Sequence, residues 1–144
     1  MSVYLLDVYV LIAMAWPRHK CHVAVQEWLS RESKRKWATC PFTQAGFVRI
    51  ISNRAFSRDA LAPEQALSLL RVNLEHPAHE FWSAALTLNQ AVAKVAKVVG
   101  HQQITDAYLL GLAIHNKGIL ATLDRAAESL APAHMGRGRI EVIG

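Results

Sequence analysis

The chain of 144 residues is 52% hydrophobic and 19% charged, which suits one compact domain over residues 1–144 and excludes a disordered or low-complexity segment. Its 16 Lys and Arg against 11 Asp and Glu give a formal net charge of +5, a balance that favours polyanionic partners. The uninterrupted apolar run Val8 to Trp16 has nine residues, half of the roughly 18 that a membrane span needs; with Asp7 before it and no basic segment ahead it is no signal peptide either, so a cytoplasmic protein with reduced Cys21 and Cys40 is expected.

Val3 to Leu6 is a short apolar run that stops at Asp7, as a buried strand with a carboxylate at its C-terminal edge would. The segment through Trp16 reads as a helix stopped by Pro17, and Val23, Val25, Trp28 and Leu29 mark an amphipathic second helix. Arg31 to Lys36, with Lys34, Arg35 and Lys36 at its end, reads as a basic, solvated turn. Trp37 to Cys40 is a second strand, and Pro41 to Thr43 opens a third helix with Thr43 as cap and Phe47, Val48, Ile50 and Ile51 inward. Asn53 to Asp59 is a polar connection.

Pro63-Glu64 opens a fourth helix, since a missing N–H costs nothing at the first position and a carboxylate complements the dipole there. Its apolar residues are Leu67, Leu70, Val72 and Leu74. His79 to Trp82 reads as a short strand, and Thr87 to Val99 as a helix closed by Gly100. Thr105 is the expected cap of a helix over Asp106 to Asn116. Ile119 to Leu123 is a strand ending at Asp124, Arg125 to Leu130 a short helix, and a turn at Gly136 to Gly138 leads to a last strand, Arg139 to Ile143. Short apolar strands alternating with helices predict an α/β fold, a sandwich around a mainly parallel sheet.

Three of the few acids lie in apolar surroundings, at Leu6-Asp7-Val8, Thr105-Asp106-Ala107 and Leu123-Asp124. Two follow strands and one opens a helix, positions that meet beyond the strand C-termini of an open parallel sheet. Like charges brought together there call for a hard divalent cation, Mg²⁺ or Mn²⁺, with oxygen ligands. Each acid has a structural role available as well: Asp106 suits a helix N-terminus, Asp124 suits a cap, and Asp7 could serve the fold alone. An acidic cation site in a basic protein points to a phosphate-bearing substrate.

Other templates fit poorly. The chain has no G-x-S-x-G elbow, no phosphate-binding Gly-rich loop, and no second aspartate beside Asp7 of the kind an aspartyl-phosphate phosphatase needs. The spacing of His19, Cys21, His22 and Cys40 matches no zinc site, and Pro77 separates His76 from His79. The four tryptophans are expected in the core.

The segments Leu5-Leu6-Asp7-Val8-Tyr9-Val10-Leu11-Ile12-Ala13, Cys40-Pro41-Phe42-Thr43-Gln44-Ala45-Gly46-Phe47-Val48-Arg49-Ile50, Ile104-Thr105-Asp106-Ala107-Tyr108-Leu109-Leu110 and Ala121-Thr122-Leu123-Asp124-Arg125, in this order and spacing, resemble the PIN-domain ribonucleases, and among them the VapC-type toxins of toxin–antitoxin pairs. The resemblance implies a three-layer α/β/α sandwich, a pocket holding Mg²⁺ or Mn²⁺, and single-strand-selective cleavage of RNA. It further implies a homodimer and inhibition by a VapB-type antitoxin. By the same matching Asp7, Asp106 and Asp124 are the catalytic metal ligands, and Thr122 orients Asp124 or a metal-bound water. Gln44 stands where many relatives carry glutamate and Tyr9 where asparagine is common, so both are candidate site-supporting residues. Arg49 and Arg54, on and after the third helix, are candidate RNA phosphate contacts.

The expected chemistry is in-line hydrolysis leaving a 5′-phosphate and a 3′-hydroxyl. A PIN-fold module that binds RNA or antitoxin with little or no turnover is the alternative, and a small-molecule phosphate hydrolase a third reading.

Overall fold

The computed structural model describes residues 2–32 and 35–144. Five strands, β1 (Val3–Leu6), β2 (Lys36–Thr39), β3 (His79–Phe81), β4 (Ile119–Thr122) and β5 (Ile140–Val142), form one sheet in the order β3-β2-β1-β4-β5. Every pairing is parallel, with Tyr4 opposite both Trp37 and Ile119, and Thr39 opposite Phe81. Parallel strands need covered crossovers, so the central strands β1, β2 and β4 are largely buried on both faces, while the edge strand β3 leaves Glu80 and Phe81 exposed.

Helices α1 (Val8–Ala15), α2 (His22–Ser30), α3 (Pro41–Ile51) and α4 (Pro63–Leu74) build a core with Tyr4 and Leu6 on one face of the sheet. Leu5, between those two residues, points to the other face and packs with α5 (Leu88–Val92) and α6 (Ile104–His115). This is the expected α/β/α sandwich. The chain builds outward from β1 through β2 to β3, then returns to lay β4 on the other side of β1. That reversal opens a crevice beyond the C-terminal ends of β1 and β4, where ligands of open parallel sheets bind. Asp7 and Asp124 follow those two strand ends. The Asp7 amide still donates to the Ala121 carbonyl at 3.0 Å, which extends the pairing to the acid itself.

Several elements depart from the sequence reading. The helix predicted over Thr87 to Val99 stops at Val92, because the Ala96 amide donates to the Leu130 carbonyl at 2.9 Å instead of continuing the helix. Thr105 is not the cap of α6: a 3₁₀ turn over His101–Gln103 leads directly into it and Gln103 takes the cap position. Thr43 lies inside the first turn of α3, whose cap residue is Cys40; its hydroxyl accepts from the Cys40 amide at 3.0 Å. Helix α4 turns Ala66 and Leu70 inward and leaves Leu67 and Val72 more than half exposed. A 3₁₀ helix over Ala133–Arg139 replaces the turn predicted before β5.

The basic turn is corrected most. Lys34 lies outside the described residues and Lys36 opens β2, but Arg35 is 7% exposed. Its guanidinium sits 4.7 Å from the Tyr4 ring centre and 4.1 Å from that of Trp28, and Glu141 and Glu32 lie 3.7 and 3.9 Å from its nitrogens. Two aromatic faces and two carboxylates make a site that an arginine, weakly hydrated and planar, can occupy away from water. Trp28, Trp37 and Trp82 are buried as expected, and Trp16 packs edge-on against Phe56.

Candidate active site

Asp7 caps α1: its Oδ1 accepts from the Val10 amide at 2.8 Å. Its other oxygen, Oδ2, accepts from the Thr122 hydroxyl at 2.6 Å. The side chain is thus anchored by both the helix it opens and the strand beside it. Burial pushes its pKa up from 3.8 to about 6, the negative charge of Asp106 adds to that rise, and the hydrogen bonds from Thr122, Val10 and Tyr9 oppose it.

Asp106 occupies the first turn of α6 and is half-buried; burial, followed by the charge of Asp124, raises its pKa. Asp124 is exposed and caps the 3₁₀ helix Arg125–Leu130, its Oδ1 accepting from the Ala126 amide at 2.9 Å. The structural roles considered for Asp7 and Asp124 are therefore real. They leave the charge unanswered: among the described residues none of the three acids forms an ion pair.

Two cavities meet at Asp124. One of about 500 Å³ has Asp7, Tyr9, His19, Lys20, Cys21, Phe56, Leu123 and Asp124 on its walls. The other, of about 420 Å³, is lined by Asp106 and Asp124 with the backbone and side chains around His101 to Gln103. A roomier cavity of about 750 Å³ between α2 and α4 contains none of these acids. Among the described residues no group of three His, Cys, Asp or Glu side chains is close enough to hold a metal ion by itself. The donor chemistry fits a hydrated cation instead. Mg²⁺ keeps several waters and takes one or two carboxylates, and three carboxylates without an ion-pair partner, of which Asp106 raises the pKa of Asp7 and Asp124 that of Asp106, suit such an ion.

Thr122, fully buried, donates to Asp7 and accepts from the Asp124 amide at 3.1 Å; it orients the Asp7 carboxylate and the Asp124 backbone, not the Asp124 side chain. Tyr9 is 52% exposed on the wall of the Asp7 cavity. Gln44 is on neither cavity wall. Its amide nitrogen donates to the Thr39 hydroxyl at 3.0 Å, and that hydroxyl lies 2.8 Å from His79 Nε2. Arg49 and Arg54 are exposed and also line neither cavity. His19, which the sequence offers only as a zinc-ligand candidate of the wrong spacing, and Lys20 also line the Asp7 cavity.

Residues 4–131 match the PIN domain family. This chain belongs to that family. The PIN domain here is 39% identical over 141 residues to "Ribonuclease VapC39" of Mycobacterium tuberculosis, covering 96% of this chain and 98% of the relative. It is 43% identical over 124 residues to "Ribonuclease VapC29" of the same organism, with 83% and 84% covered. Among solved structures, the VapBC2 complex of Rickettsia felis bound to a promoter DNA fragment shares its fold with a TM-score of 0.63 at 13% identity, covering 99% of both chains. FitAcB of Neisseria gonorrhoeae does so at 0.60 and 16% identity, over 98% of this PIN domain and 96% of that chain.

Proposed function

We propose that this PIN domain is a divalent-metal-dependent endoribonuclease and the toxin of a VapB–VapC type pair. The observation that carries the reading is the unpaired carboxylate of Asp7, buried at the point where the sheet reverses its strand order, with the acids Asp106 and Asp124 beside it. The relatives named VapC ribonucleases supply the reaction class.

Asp7, Asp106 and Asp124 are the residues that would hold Mg²⁺ or Mn²⁺. Such an ion, when bound, lowers the pKa of a water and polarises a phosphate oxygen. The chain's own contribution is positioning. Thr122 fixes the Asp7 carboxylate and holds the Asp124 backbone, so the two strand ends keep one spacing. Val10 and Ala126 each occupy one carboxylate oxygen, on Asp7 and Asp124. The basic surface of a chain with net charge +5 attracts the RNA backbone toward this acidic crevice.

Partners follow from the same reading: single-stranded RNA as substrate, a VapB-type antitoxin as inhibitor and a second copy in a homodimer. Among the described residues no helix is long and apolar enough to cross a membrane, and a cytoplasmic site of action is part of the proposal. The test is expression without antitoxin of the parent and of Asp7→Asn and Asp106→Asn. Growth arrest and cleavage of total RNA with added Mg²⁺ or Mn²⁺ are expected of the parent and not of the variants. A parent that cleaves nothing, or variants that cleave equally, overturns it.

A further inference from the structure

The cavity lined by Asp7 and Asp124 is lined by His19 and Lys20 as well. We propose that His19 and Lys20 are its RNA-phosphate-binding residues, His19 donating from Nε2 to a non-bridging phosphate oxygen and Lys20 supplying the positive charge beside it. This rests on the ribonuclease reading of the site and adds the part that holds the substrate's backbone.

The tight turn between α1 and α2 carries both residues. It is closed by backbone bonds from His19 to the Trp16 carbonyl at 3.0 Å and from His22 to the His19 carbonyl at 2.9 Å. His19 Nδ1 accepts the Cys21 amide hydrogen at 3.0 Å. A neutral imidazole with Nδ1 used as acceptor carries its hydrogen on Nε2, so the ring keeps a donor of fixed direction. Burial, then the charges of Lys20 and His22, holds the His19 pKa below its usual value, which keeps the ring neutral while it donates.

Lys20 is exposed and lines the same cavity as Asp7 and Asp124, yet among the described residues neither it nor His19 is paired with any acid. A cation left unneutralised in a cavity with acids has a role that a phosphate would fill: Lys20 would contact the anion, and a cation held by the acids would supply further positive charge beside it. Arg49 and Arg54 stand on no wall of this cavity, so the turn is better placed than α3 to fix the backbone of a strand entering it.

The test is binding of a short fluorescent single-stranded RNA, read by anisotropy in an Asp106→Asn background that stops turnover, with Mn²⁺ affinity measured separately by calorimetry. His19→Ala is expected to weaken binding about tenfold, the loss of one hydrogen bond to a charged group. His19→Gln, whose amide nitrogen reaches the Nε2 position, should retain most of the affinity. Lys20→Ala should weaken binding and reduce the log–log salt slope by about 0.7. Mn²⁺ affinity should fall in none of the three. RNA binding at parental strength in both His19→Ala and Lys20→Ala overturns the proposal, as does a Gln variant no better than Ala. If His19→Ala does not fold, an unchanged affinity and salt slope in Lys20→Ala overturns it alone. A parent that binds RNA through these residues but cleaves none would defeat the ribonuclease reading and leave this one standing.

Discussion

The Thr122 hydroxyl, fully buried, donates to Asp7 Oδ2 at 2.6 Å and accepts from the Asp124 amide at 3.1 Å, so a single oxygen atom ties the ends of two strands 115 residues apart. Neighbouring parallel strands share no hairpin, and nothing local sets the relation of their ends. Here the hydroxyl adds to the Asp7–Ala121 backbone bond in doing so, and it also gives the buried Asp7 carboxylate a donor that favours its charged form.

Replacing Thr122 by Val removes both bonds while keeping the shape of the side chain. The expected loss of stability is about 1–3 kcal/mol, the cost of leaving buried polar groups unpaired. The Asp7 carboxyl should rise further above about 6, so the acidic limb of metal-dependent RNA cleavage moves to higher pH. Thr122→Ser should keep both properties. A pH–rate profile unchanged in Thr122→Val would show that this hydroxyl does not tune Asp7.

Asp7 makes the metal-free fold lose stability as pH rises. Its folded pKa of about 6 is above its ordinary 3.8, so the folded chain holds the proton more tightly than the unfolded one; the stabilisation is complete below the unfolded value and is lost as pH climbs through about 6. A shift of about two units corresponds to about 3 kcal/mol. Asn cannot ionise and caps a helix as well as Asp. Asp7→Asn should therefore match the parent near pH ~4 and exceed it by up to about 3 kcal/mol above pH ~7 without cation. Added Mg²⁺ should stabilise the parent and not the variant, by mass action on the folded state. Denaturant titrations across this range check both signs, and an equal stability at all pH values would refute the account.

Gly111 is the point where α5 meets α6. A Cβ there would stand 2.3 Å from the Ala91 carbonyl oxygen, a backbone atom that cannot swing aside. Overpacking costs about 1–3 kcal/mol and the better helix propensity of Ala returns about 1 kcal/mol, so Gly111→Ala should lower the thermal midpoint. Because α6 carries Asp106 in its first turn, a drop in Mn²⁺ affinity is expected with it. A midpoint at or above that of the parent would show that α5 yields at no cost.

Strands β1 and β4 and the acids after them were legible because buried parallel strands are apolar on both faces, so a carboxylate at their end interrupts a clear pattern. Features set by distant partners were not. Nothing near Ala96 announces that its amide will turn to Leu130 and end α5. Arg35 sits in a run that reads as solvated, and the rings that enclose it come from Tyr4 and Trp28. His19 and Lys20 carry no motif; only the turn after Pro17, closed on the Trp16 carbonyl, brings them to the cavity that Asp7 and Asp124 also line. Gln44 matched a family position by sequence, but its side chain is committed to Thr39.

That commitment makes Gln44→Glu informative. In the parent the Gln44 amide donates to Thr39, which leaves the one hydroxyl hydrogen free for His79 Nε2, and burial keeps His79 below its usual pKa. Glutamate has no hydrogen to give. Thr39 must then donate to the carboxylate, and His79 must bring its own proton to face the Thr39 oxygen. The His79 pKa is expected to rise, so the variant gains stability relative to the parent at pH values below the unfolded histidine value of about 6.5 and loses that gain as pH climbs through the new folded value. Titration of the His79 ring by NMR reads the shift, while Mn²⁺ calorimetry should show little change because residue 44 remains with Thr39. A severalfold gain in Mn²⁺ affinity with His79 unmoved would mean that the carboxylate has left Thr39 for the acidic crevice.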